Sequence, residues 1–211
     1  MLHNQFTALL LRYTQNEALI QQLWDEIEKA YDDEERYFHN LSHLAQLYTA
    51  LASLQTSIQD WDSLLFAVFY HDIAYDVVRY VLENDNEERS AATAEHALKS
   101  IEVPAYKIML CKQHILATKT HLITTNNDTN IFIDADLSIL GQPWEVYQPY
   151  MKNIRKEYSI YPDKIYNSGR LKVLKHFIAM PRLYKTDRFY QLYETSAREN
   201  MSREVEILSL L

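Results

Sequence analysis

Glycine is almost missing from this chain, at 2 residues in 211, and proline is held to 5. Tight turns between short strands draw on both residue types, so their scarcity argues against an all-β architecture. Cysteine occurs once, as Cys111, which excludes an intrachain disulfide and fits a reducing compartment. Nothing beside Cys111 suggests an activated nucleophile, and a small buried apolar role is expected for it. No apolar run reaches the length of a bilayer span, and the N-terminus has no basic region leading into an apolar stretch and cleavage site. The expected location is therefore the cytoplasm, with no membrane partner. Also absent are internal repeats, low-complexity segments and a glycine-rich phosphate loop. An excess of positive charge is absent too: 21 Lys and Arg face 29 Asp and Glu, a formal charge of −8. That balance argues against a general affinity for nucleic-acid backbones, which needs clustered cations. It leaves room for a small phosphate ester, because a metal and a few local cations can reverse the field inside a pocket.

What the chain does have is helical periodicity. At 47% hydrophobic residues it can bury a sizeable core, and one substantial domain is expected over 1–211. Phe6, Leu9, Leu10 and Tyr13, then Leu19, Ile20, Leu23, Trp24 and Ile27, suggest one or two amphipathic helices before an acidic connector at Asp32–Glu35. Leu44, Leu47, Leu51 and Leu54 recur at intervals of three and four, as on one helical face. Leu64 to Tyr70 is apolar nearly all round and predicts a central helix. Residues 76–85 are expected as a loop able to act as a lid, and Asn86-Glu87-Glu88 as a helix start. Asn126 to Asn130 is expected as a loop, and breaks are expected at Pro143 and Pro162 before a helix from Leu171 to Met180.

Chemistry enters with Tyr37-Phe38-His39-Asn40-Leu41-Ser42-His43, the pair His71-Asp72, and Asp134-Ala135-Asp136. Imidazole nitrogen and carboxylate oxygen together suit zinc, manganese, iron, cobalt or nickel. Such an ion can bring the pKa of bound water near neutrality, which makes metal-assisted hydrolysis the leading expectation. Residues at i and i+4 share a helical face, so His39 and His43 are expected one turn apart on the leucine-rich helix. Adjacent residues diverge by about 100°, so His71 and Asp72 can share an ion only near a helix end. Taken singly, each histidine is more often a satisfied core or surface group, and Asp72 could cap a helix. The zinc-protease helix needs a glutamate after its first histidine; Asn40 stands there, and that reading fails.

These segments resemble the HD superfamily of metal-dependent phosphohydrolases, whose pattern is a histidine, a later His-Asp pair and a final aspartate on a helical bundle. The His39-Asn40-Leu41-Ser42-His43 form is similar to that of the cyclic-nucleotide phosphodiesterases. A group of small bacterial proteins described as predicted HD phosphohydrolases is closer. The resemblance rests on Arg36–His43, Asn86–Ala91, Asp134–Gly141 and Ile154–Tyr158, and extends from about Arg36 through Tyr184. It implies a single-domain, all-α HD bundle with its motif-bearing core at about 31–184 and flanking helices at both ends. It implies His43, His71, Asp72 and Asp136 as ligands of a divalent cation, with Asp72 also in the catalytic set. His39 would protonate the leaving oxygen. For Asp134 a helix N-cap is the expected role, although either aspartate of the tripeptide fits the last ligand position. His96 and His114 are expected as solvated surface groups, and His121 as a residue that could line the pocket.

Arg155 and Arg170 match family patterns and are the candidate substrate-binding cations. Lys156, Lys172 and Lys175 are more simply solvated helix faces. The implied substrate is a small phosphorylated molecule, a nucleotide or related metabolite, and the resemblance leaves room for a homodimer. The competing class is a metal-containing nucleotide-binding or sensing module with little turnover. A metal serving only as a helix clamp is a third reading.

Overall fold

The computed structural model describes residues 1–210, with the backbone alone at 80–82. It is all-helical, and the described residues form no strand. The chain divides into two compact units, 1–133 and 134–211, with the boundary inside one helix.

The first unit holds α1 (Leu2–Leu10), α2 (Glu17–Tyr31), α3 (Leu41–Ala52), α4 (Trp61–Tyr70), α5 (Val77–Leu82), α6 (Asn86–Ser100), α7 (Ala105–Ala117) and most of α8 (Asn127–Asp136). Its helix starts are written in side-chain caps. Asn16 accepts from Leu19 N at 3.1 Å, Asn40 from Ser42 N at 2.9 Å and Asp60 from Ser63 N at 3.0 Å. Each supplies an acceptor for a first-turn N–H that the helix itself leaves unsatisfied. Every residue of α4 from Ser63 to Tyr70 is buried, as its unbroken apolar run predicts. The helix packs against α1, α3, α6 and α7. Phe69 meets Phe6 edge to face at 4.9 Å between ring centroids, and truncating such a ring costs roughly 3–5 kcal/mol. The leucine ladder of α3 is buried at Leu44, Leu47 and Leu51, and the acidic connector at 32–35 is exposed, both as expected.

The second unit contains the end of α8, a 3-10 turn at Leu137–Gly141, α9 (Trp144–Glu157), α10 (Asp163–Ala179) and α11 (Asp187–Ser209). α11 packs on the 3-10 turn, α9 and α10. A side chain at Gly141 would run into the backbone and Cβ of Tyr193, so this close approach requires glycine.

Three expected boundaries move. The segment at 76–85 contains α5, with Asp76 Oδ1 accepting from Val78 N and Arg79 N, and with Arg79 bound to Asp85. α8 begins at Asn127, because Asn126 Oδ1 accepts from Asp128 N at 2.9 Å and the polar residues after it fill a first turn. α10 starts at Asp163 directly after Pro162, and Gly169 lies inside it with nothing within 4 Å of where a Cβ would be.

Candidate metal centre

α3 and α4 carry the ligand-type groups of the first unit. His43 sits in the first turn of α3, and His71 is the C-cap of α4, still in helical conformation at φ −60° and ψ −38°. Asp72 follows it where the helix has ended. His43 Nε2 and His71 Nε2 stand 3.2 Å apart, and Asp72 Oδ2 lies 3.0 Å from His71 Nε2 and 4.0 Å from His43 Nε2. The three form a group able to hold a metal ion, with their ligand atoms all within 4.8 Å of one another. Both histidines are buried and Asp72 is partly open.

The chemistry of this set follows from one hydrogen bond. His71 Nδ1 lies 3.0 Å from the carbonyl of Val68, which can only accept, so Nδ1 carries the proton. In the neutral ring Nε2 then presents a lone pair toward His43 Nε2 and Asp72 Oδ2. His43 Nε2 can donate to that lone pair in one tautomer, whereas the lone pair and the Asp72 carboxylate oxygen repel unless a proton or cation lies between them. A metal at bonds of about 2.0–2.2 Å separates neighbouring ligand atoms by about 3 Å and opposed ones by about 4 Å, so the observed spacings fit one ion. The Val68 carbonyl is the outer partner that such a histidine ligand characteristically has.

Arg36 fastens the two motifs together. Its guanidinium donates to Asp72 O at 2.7 Å, to Ile73 O at 3.1 Å and to His39 O at 3.4 Å, and it lies over the rings of Tyr31 and Tyr75. Tyr31 OH accepts from Asp72 N at 3.1 Å. Five planar donors on one group allow this bridging, which lysine could not reproduce. The sequence gives no sign of this role beyond the place of Arg36 beside the histidine motif.

The helical pairing of His39 with His43 needs correction. Asn40 caps α3 in extended conformation, so His39 lies before the helix in the connector. Its ring nevertheless comes 5.9 Å from that of His43, centroid to centroid, and is stacked on Tyr75 at 4.3 Å with Phe38 edge-on at 5.0 Å. Its position is set by aromatic packing and not by helical periodicity.

The other candidates have surroundings of their own. His114 is buried, against the solvated role expected of it: Nδ1 pairs with Thr129 Oγ1 at 2.8 Å while Nε2 has no partner. Burial pulls its pKa down to about 4, with Asp128 and Asp60 opposing the shift. His96 is exposed as expected, whereas His121 is half-buried just beyond α7 with a left-handed φ of 51°. Cys111 is fully buried, and burial pushes its thiol far up, which fits the inert role expected of it.

In the second unit, Asp134 does not cap its own helix. It is buried near the end of α8 and accepts from Lys185 N and Thr186 N at 2.7 Å each, and from Thr186 Oγ1 at 2.7 Å, tying down the entry to α11. Burial raises its carboxyl pKa, and these hydrogen bonds oppose the rise. Asp136 is half-buried. Arg155 is directed to Asp163 Oδ1 and to the carbonyls of Tyr158 and Tyr161, and so closes the turn between α9 and α10. Arg170 pairs bidentately with Glu204, at 2.7 Å from Nε and 3.0 Å from Nη2, while Tyr147 OH also donates to Glu204. Both guanidiniums are thus engaged in holding the second unit together. Lys156, Lys172 and Lys175 are exposed.

No family model, curated protein or solved structure matches this chain. Among the described residues, no helix is long and apolar enough to cross a membrane.

Proposed function

We propose that this protein is an HD-type metal-dependent phosphohydrolase acting on a phosphate ester of a nucleotide or related metabolite. The observation that carries the reading is the convergence of His43 Nε2, His71 Nε2 and Asp72 Oδ2 on one another. A divalent transition metal bound by them would supply Lewis acidity and a water of lowered pKa. The chain's own residues do the rest. Val68 O fixes the tautomer of His71, and Arg36 holds the His39 connector against the loop that carries Asp72. His39, beside His43, is the proton donor to the leaving oxygen. Both Asp134 oxygens are engaged by residues 185 and 186 of its own unit, which argues against Asp134 as a ligand.

Metal analysis of the purified protein, combined with a broad phosphate-ester screen, tests the reading. The expected result is a bound divalent transition metal and hydrolysis that chelation abolishes and metal restores. A protein that neither carries nor takes up such a metal overturns it.

A further inference from the structure

The first turn of α6 holds buried polar atoms that the described protein leaves without a partner: Asn86 Oδ1, Glu87 Oε2 and Arg89 Nη1. Such atoms are uncommon in folded proteins, and each calls for an explanation. The same turn is tied to the loop that follows His71-Asp72. Ser90 Oγ accepts from Ala74 N at 3.1 Å, and Asn86 Nδ2 donates to Asp76 O at 3.4 Å. Residues three and four apart share a helical face, so Asn86 and Glu87 flank Ser90 on the side of α6 turned toward that loop. Asn86 is 6% exposed and Ser90 is fully buried, so that face is turned inward. Glu87 also feels the site electrically: burial raises its carboxyl pKa first, Asp72 adds to the rise, and Lys119 opposes it. A carboxylate held near a second carboxylate, with one oxygen buried and lacking a donor, is an arrangement that a purely structural role would avoid.

We propose that Glu87 is a further residue of this site, with Oε2 accepting a hydrogen bond from the water consumed in hydrolysis and so aiming it at the phosphorus. The inference rests on the phosphohydrolase reading and adds to it the residue that orients the nucleophile.

The test uses Glu87→Gln and Glu87→Met in the full chain, each measured for metal content, turnover on an ester hydrolysed by the wild type, and thermal unfolding after chelation. Both variants should keep wild-type metal content while turnover falls by about 100-fold or more. Their chelated forms should unfold about 2–4 °C higher than the wild type, because a poorly solvated charge near Asp72 has been removed. An acid serving only to complement the dipole of α6 predicts the reverse, a lower unfolding temperature with turnover intact. That result overturns the proposal, as does loss of metal, which would make Glu87 a ligand. A wild type without metal or turnover would instead sink the underlying reading, and this inference with it.

Discussion

Glu204 in the second unit and Asp72 in the first are both carboxylates set among apolar helices, and their surroundings differ in kind. Glu204 meets Arg170 through two hydrogen bonds and takes a third from Tyr147. Asp72 stands 3.0 Å from a histidine nitrogen whose ring carries its proton on the other side. A buried charge answered within the protein is architecture, because breaking it leaves the partner stranded. The atoms of His43, His71 and Asp72 instead form a group able to hold a metal ion. On the proposed reading, the contrast separates a charge answered within the protein from a ligand group that a cation would complete.

The largest effect that could break this contrast is at His71. His71→Ala should lose both metal and turnover, since it removes the nitrogen closest to the other two ligand atoms. His39→Ala should retain near-normal metal content while turnover falls roughly 10²–10⁴-fold, the usual contribution of general acid catalysis. Metal analysis and initial rates on one identified ester decide both. Loss of metal from the His39 variant would make that residue a ligand, and unchanged turnover would make it a bystander.

In the second unit the expected change is in stability alone. Arg170→Met should destabilise the protein by about 3–5 kcal/mol, because it leaves the Glu204 carboxylate buried with only Tyr147 as donor. The double variant Arg170→Met, Glu204→Met should recover much of that loss, since no charge is then stranded. Metal content should be untouched in both. Denaturant unfolding together with metal analysis checks the pair, and a loss of metal in the single variant would tie Arg170 to the site after all.

The sequence made the local features plain and hid the long-range ones. The burial of α4 followed from its unbroken apolar run and that of the α3 leucine ladder from periods of three and four residues, signals that depend on near neighbours only. The start of α8 did not, because Asn and Asp serve turns and first helical turns equally well, and the hydrogen bonds from Asn126 decide between them. His39 was misplaced on a helix for the same reason: Asn40 is a strong cap, and the cap begins the helix one residue after it. Ligand chemistry could be read from residue types, but the 3.2 Å approach of His43 to His71 depends on how α3 packs against α4. The charged and backbone partners that employ Asp134 and Arg170 within the second unit lie 34 to 52 residues away, and the carboxylate that Arg155 meets lies 8 away. No pattern around those residues announces them.

His114 offers a smaller effect with a defined sign. Its folded pKa of about 4 lies below the ordinary 6.5, so between these values the unfolded chain binds a proton that the native protein does not. Stability is therefore lost as pH falls from about 6.5 to about 4, by roughly 3 kcal/mol across the window. The difference in unfolding free energy between wild type and His114→Gln should shift in the wild type's disfavour by about that amount over the same range. Taking the difference cancels the other titrating groups. A difference that stays constant with pH would show that the ring is not buried in its neutral form.

Arg155 carries the smallest expected effect and the finest test of the contrast. Its ion pair with Asp163 lies at an exposed turn, where Asp163 is 79% exposed, and such pairs contribute about 0–1 kcal/mol. The bonds to the carbonyls of Tyr158 and Tyr161 add a share, but both acceptors sit in a turn that water can reach. Arg155→Ala should therefore cost about 1 kcal/mol or less, with turnover within about twofold of wild type. The family pattern around this residue predicts something else, a cation that holds the substrate's phosphate. That role would raise KM sharply while leaving stability almost unchanged, because uniform substrate binding is what a phosphate contact supplies. Measuring KM and unfolding on the same variant separates the two. A large rise in KM would return Arg155 to the site and overturn its purely structural role.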